Sequence, residues 1–196
     1  MGNRNRISTV FASVVLVGAA SLVVILARQN RLLRETKQQL TNRILYPYTG
    51  LFVPETRVAA LTGDSVVLGA TTATRPELLF FFTTSCQFCE RSVPVWNALA
   101  DSISAGTPAV ASVYGVSLSS TDSTREFVRK HRVSFPVVTM TDRRMRYLYR
   151  TRSVPVTAVL GLDGRYTFST LGLITAQATV DSLLKAARQP SMLAVQ

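Results

Sequence analysis

Few residues in this sequence can bind metals or shuffle disulfides. There are two cysteines, Cys86 and Cys89, and one histidine, His131, in 196 residues. No third thiol is available for exchange, and a structural zinc site, which takes four ligands, is excluded. Acidic residues are also scarce, 11 against 22 lysines and arginines, which leaves a net charge of +11. Such an excess raises the question of nucleic acid. Its distribution answers otherwise. Up to Arg43 the basic residues are Arg4, Arg6, Arg28, Arg31, Arg34, Lys37 and Arg43, against Glu35 alone, and they flank one apolar stretch. Charge in that position belongs to membrane anchoring, and nucleic acid is not expected as a partner. Internal repeats and low-complexity tracts are absent.

Charge is missing altogether from Ile7 to Ala27, a run of about 21 residues where about 20 span a bilayer as a helix. A buried core helix would show a polar face, and this segment has only Thr, Ser and Gly for relief. Gly18, Ala19 and Ala20 would suit a signal-peptide cleavage site, but the apolar run continues from Ser21 to Ala27, beyond the usual length of such a signal. The chain therefore divides into a tail at 1–6, a transmembrane anchor at 7–27, a helical stalk or linker at 28–49 and a folded domain at 50–196. Arg28, Arg31, Arg34 and Lys37 after the span outnumber Arg4 and Arg6 before it, so a literal charge count puts the domain inside the cell.

In the domain, Arg57–Leu61 and Ser65–Leu68 predict a hairpin around Thr62-Gly63-Asp64. Leu78–Thr83 is a continuous apolar run suited to a strand buried on both faces. A helix opens at the cysteines and runs to about Ser104. Strands follow at Val110–Leu118 and Phe135–Met140, with a helix from Asp122 to His131 between them, capped by Thr121 or Asp122. Arg143–Arg150 predicts a short helix. Val156–Leu162 and Arg165–Leu171 predict a hairpin across Asp163-Gly164. A last helix runs from about Thr175 to Arg188, before Pro190.

The motif with chemistry is Cys86-Gln87-Phe88-Cys89, placed where a buried strand gives way to a helix. That spacing lets two sulfurs meet on the first helical turn. The unpaired N–H groups and the helix dipole stabilise a thiolate at Cys86. Cys89, one turn further in, is suited to resolve a mixed disulfide. A purely structural bridge closing so short a loop would constrain the unfolded chain little. The spacing thus favours redox chemistry over a static staple.

The segment LLFFFTTSCQFCERSVPVW resembles the active-site strand and helix of the thioredoxin-like superfamily. Pro94 lies where that family kinks its helix. Ser153-Val154-Pro155-Val156-Thr157 resembles the segment whose proline is cis and faces the disulfide. The anchor, the early hairpin and Phe135-Pro136-Val137 resemble the exported, membrane-tethered TlpA-type branch. The resemblance implies a thioredoxin fold, an α/β architecture with a central mixed sheet and helices on both faces. It implies catalysis by Cys86, Cys89 and Pro155, with Gln87, Phe88, Pro94, Val154 and Thr83 in support, and no cofactor or metal beyond a redox-active Cys86–Cys89 disulfide. Its partners would be protein thiols or disulfides and an upstream thiol donor, and the domain would lie outside the cytoplasm, against the charge count. Pro155 would keep metals from the thiols, and its neighbours would pair with a substrate strand.

The sequence also departs from that family. Phe80 stands where thioredoxin has a buried acid, and Ser92 where many TlpA-type reductases have a glutamate, so the proton relay for Cys89 is not evident. Glu90 is near in sequence but at a position expected to face elsewhere. The uncharged Gln87-Phe88 dipeptide suits a reductant or electron relay. Other readings are a Cu(I) chaperone using Cys86, Cys89 and His131, a non-catalytic membrane-bound interaction module, and a peroxidase, for which Thr83-x-x-Cys86 has the spacing but Leu79 replaces the required proline. His131 reads as a surface residue at a helix end, Trp96 as core. Arg143, Arg144, Arg146, Arg150 and Arg152 read as a solvated face or a surface for acidic partners or lipid headgroups.

Overall fold

A computed structural model describes residues 2–69, 73–105 and 110–188; for residues 2–15, 17, 39, 42 and 43 it describes the backbone alone. The chain forms two compact units, Met1–Ile44 and Leu45–Gln196. The first is one helix, α1 (Gly2–Leu45), so the stalk continues the preceding segment without a break. Much of the anchor expected at 7–27 lies outside the described side chains. Among the described residues no helix is long and apolar enough to cross a membrane. Pro190, expected to follow the last helix, also lies outside the described residues.

The second unit is built on seven strands: β1 (Thr56–Ala60), β2 (Ser65–Leu68), β3 (Glu77–Phe82), β4 (Ser112–Ser117), β5 (Val137–Thr139), β6 (Val156–Leu160) and β7 (Tyr166–Leu171). Their order in the sheet is β2-β1-β5-β4-β3-β6-β7. β3, β4 and β5 are parallel, and β1, β6 and β7 pair antiparallel, which makes the sheet mixed. The helices are α2 (Gln87–Ser104), α3 (Thr121–His131), α4 (Arg143–Leu148) and α5 (Gln177–Arg188).

β3 is the centre of the core, and its sequence explains why. Successive side chains of a strand point to opposite faces. Leu78, Phe80 and Phe82 enter one apolar cluster with Trp96 of α2, Phe127 of α3 and Leu183 of α5. Leu79 and Phe81 enter the other, with Val138, Val156 and Tyr149 at the end of α4. All of β3 is buried, as an unbroken apolar run requires. α2, α3 and α5 therefore share one face and α4 has the other, an α/β thioredoxin-like arrangement.

Local details differ from the sequence reading at the α3 cap and the β6–β7 turn. Ser120, not Thr121 or Asp122, caps α3: its ψ of 155° is extended and its hydroxyl accepts the Ser123 N–H. The β6–β7 ladder is irregular at Val159/Leu160 and its last pair is Leu160 with Tyr166. The turn thus spans residues 161–165 rather than Asp163-Gly164 alone. Gly164 has φ +70°, and a Cβ there would lie 3.1 Å from the Phe52 ring, so the turn needs glycine.

Candidate active site

The parallel strands end together, and the candidate site lies just past the end of β3. The Thr83 carbonyl accepts the Cys86 N–H at 3.3 Å. The Thr84 N–H donates to Ser119 Oγ at 3.1 Å, tying this turn to the loop after β4. Cys86 then takes an extended conformation, φ −93° and ψ 108°, as the N-cap of α2. Its Sγ accepts the Cys89 N–H at 3.2 Å, the bond a serine or aspartate makes at an N-cap. The sulfur thus sits at the positive end of a helix of 18 residues, where negative charge is favoured.

Cys86 is half-buried and Cys89 buried, and the two thiols are not bonded. Burial pushes the Cys89 thiol far up from its ordinary value; its hydrogen bond to Cys86 adds to this and a backbone hydrogen bond at Thr83 opposes it. One sulfur is therefore accessible and backed by a helix terminus, and the other is held protonated behind it.

The Val154–Pro155 bond is cis, as expected from the sequence. The Cys86 thiol faces the Val154 carbonyl at 3.8 Å, and Pro155 is buried beside it. Gln87 and Phe88 are exposed, and the Arg91 guanidinium lies 6.0 Å from the Phe88 ring centroid. Pro94 lies inside α2 and is exposed. Having no N–H, it frees the carbonyl four residues before it. Thr83 is half-buried at the turn.

Trp96 is core, as expected, and it has a partner that sequence reasoning missed. Its indole N–H donates to Thr157 Oγ1 at 2.9 Å, with both residues buried. The bond joins the active-site helix to the strand that follows Pro155. A threonine inside the apolar run of β6 was the available signal.

The positions that depart from the family pattern are filled without a proton relay. Phe80 is fully buried, 5.1 Å from the Trp96 ring and 4.9 Å from Phe135. Ser92 Oγ donates to the Phe88 carbonyl at 2.9 Å, back within its own helix. Glu90 turns to α3, its carboxylate 3.9 Å from His131 Nε2. His131 ends α3 as expected, but it is half-buried rather than exposed. Its side chain is 17% exposed and its ring lies 4.5 Å from Phe127, because the core draws Phe127 inward one turn earlier. Among the described residues no three His, Cys, Asp or Glu side chains group as metal ligands.

The AhpC/TSA family model matches residues 49–169, a span that contains both cysteines and the cis-proline. The chain belongs to the AhpC/TSA family. No curated protein matches it. Solved structures match the fold. A thiol:disulfide interchange protein assigned as DsbE from Chlorobium tepidum aligns with TM-score 0.61 at 21% identity, over 72% of this chain and 99% of that one. A secreted Mycobacterium tuberculosis disulfide oxidoreductase homologous to E. coli DsbE aligns with TM-score 0.55 at 19% identity, covering 66% and 95%. StoA from Bacillus subtilis aligns with TM-score 0.56 at 15% identity, covering 67% and 98%. The thioredoxin-like resemblance drawn from the sequence therefore holds for this AhpC/TSA member.

Proposed function

We propose that the chain is a thiol–disulfide oxidoreductase that acts on protein partners, as a reductant or electron relay. The observation that carries this reading is the asymmetry of the two sulfurs. Cys86 is accessible at a helix N-terminus and faces the Val154 carbonyl at 3.8 Å, while Cys89 is 0% exposed behind it. In the reaction, the Cys86 thiolate attacks one sulfur of a substrate disulfide. A Cys86–substrate S–S bond forms, the substrate S–S bond breaks, and the leaving thiolate takes a proton. Cys89 loses its proton and attacks Cys86 Sγ, forming the Cys86–Cys89 disulfide and releasing the second substrate thiol. Two electrons have then passed to the substrate, and an upstream dithiol must return them. Pro155 and Val154 border the sulfur, and because Pro155 has no N–H and its carbonyl accepts the Gly172 N–H at 2.8 Å, Val154 is the one that offers backbone to the incoming chain.

Reduction of insulin by the protein with dithiothreitol, against the Cys86→Ser/Cys89→Ser double variant, tests the activity. Turnover lost in the double variant supports the reading. Peroxide consumption without disulfide exchange would replace it with a peroxidase.

Residues 7–27 are assigned as a membrane anchor with the domain outside the cytoplasm. This rests on the uncharged run and on the secreted mycobacterial neighbour. The basic stalk argues for the opposite orientation. An export-dependent phosphatase fused after Gln196 should be active; an inactive phosphatase with a fluorescent cytoplasmic reporter at the same site would reverse the topology.

A further inference from the structure

An arginine-rich cleft is lined in part by Arg152, two residues before Val154, and the dithiol chemistry makes no use of it. α4 supplies Arg143, Arg146 and Tyr147, Arg152 joins from the loop, and together they line an open cleft of about 230 Å³. The Arg152 guanidinium lies 5.3 Å from the Tyr147 ring centroid, and Tyr147 is 47% exposed. Among the described residues none of these three arginines has a carboxylate within 4.0 Å. Asp142, beside them in sequence, caps α4 by accepting the Arg144 N–H at 2.7 Å. The cleft therefore holds three cations around one exposed ring, an arrangement that a carboxylate would relieve.

Its position ties it to the sulfur. Arg152 is two residues before Val154, whose carbonyl faces Cys86 Sγ at 3.8 Å. Two peptide units separate their Cα atoms by no more than about 8 Å. Phe88, two residues after Cys86, is also exposed, with the Arg91 guanidinium 6.0 Å from its ring centroid.

We propose that the cleft of Arg143, Arg146, Tyr147 and Arg152 docks an acidic stretch of the polypeptide that carries the substrate disulfide. The inference rests on the oxidoreductase reading and specifies its partner. Guanidinium forks match aspartate and glutamate carboxylates, and unpaired positive charge speeds encounter with an acidic chain. A lipid headgroup could meet the same arginines, but it would bring no disulfide to Cys86. A short peptide reaches both.

The test uses the full-length protein and two peptide sets. In the first, fluorescein-labelled peptides without cysteine carry either Asp and Glu or the matching Asn and Gln, and binding is read by anisotropy. The acidic peptide should bind about tenfold more tightly, a difference that Arg146→Gln/Arg152→Gln removes and high salt weakens. In the second, a disulfide flanks each sequence. The variant should lose about tenfold in kcat/KM on the acidic substrate and nothing on neutral hydroxyethyl disulfide. Equal binding of the two peptides, or a preference that survives the double substitution, overturns the proposal. So does loss of peptide binding when phosphatidylserine replaces phosphatidylcholine in nanodiscs holding the protein, since the cleft would then belong to lipid. Because the binding peptides contain no cysteine, this arm reads the cleft separately from the redox chemistry, and hydroxyethyl disulfide reads the chemistry separately from the cleft.

Discussion

The two ends of β3 hold buried titratable groups under different constraints. At its start, Glu77 is 6% exposed and accepts the Gly69 N–H at 3.0 Å. Nearby, the Tyr149 hydroxyl donates to the Pro54 carbonyl at 2.9 Å, and Tyr166 donates to the Tyr149 carbonyl at 3.3 Å. Burial raises the Glu77 carboxyl from its ordinary value of 4.5 and pushes Tyr149 up to about 12. Beyond the other end of β3, burial pushes Cys89 up as well, but its partner Cys86 is half-buried, and its sulfur meets the Cys89 thiol, the Cys89 N–H at 3.2 Å and the Val154 carbonyl at 3.8 Å. The first end is closed and bonded to backbone; the second is accessible and weakly bonded. A titration shifted by burial does not distinguish them, whereas access and unspent bonding capacity do.

The largest effect that follows is on catalysis. Cys86→Ser should lower insulin reduction by roughly a thousandfold or more, as loss of a nucleophile does. Glu77→Gln should leave it unchanged, and an equal loss from both would erase the contrast between the two ends. The next effect is on pH dependence. Cys89 attacks as a thiolate and burial holds it protonated, so release of a mixed disulfide should quicken about tenfold per pH unit from neutral upward. Stopped-flow single turnovers measure this directly.

Effects on stability should be smaller. Thr157→Val keeps the shape of the side chain but leaves the Trp96 N–H buried without its acceptor, at a cost of about 1–3 kcal/mol in urea unfolding. For Glu77 the sign comes from its raised carboxyl. Folding binds the proton more tightly than the open chain does, so the burden of the charge is absent below 4.5 and grows as pH rises through the folded value. Glutamine keeps an acceptor for Gly69 and never ionises. Glu77→Gln should raise Tm at pH 7, with the gain fading toward pH 4.

What was legible in the sequence was local. The run Leu78–Phe82 announced a strand buried on both faces, and the cysteine spacing announced a helix start. The Ser153–Thr157 segment announced the cis-proline. Pairings between distant segments were not legible. The Trp96–Thr157 bond joins residues 61 positions apart, and nothing in either segment alone names the other. His131 packs on Phe127 one turn before it, but its other neighbour, Glu90 of α2, again comes from far along the chain. Glu77 lies one residue before the strand as read from hydropathy, and only the fold buries it. The cap of α3 moved to Ser120 because backbone conformation chooses between adjacent hydroxyls.

The division of labour between the sulfurs is the central claim, and trapping on non-reducing gels tests it most directly. Cys89→Ser should attack a partner disulfide and fail to let go, accumulating a mixed disulfide through Cys86 that dithiothreitol dissolves. Cys86→Ser should accumulate none. If Cys86→Ser is the variant that traps partners, the buried sulfur is the nucleophile and the account of this site is contradicted.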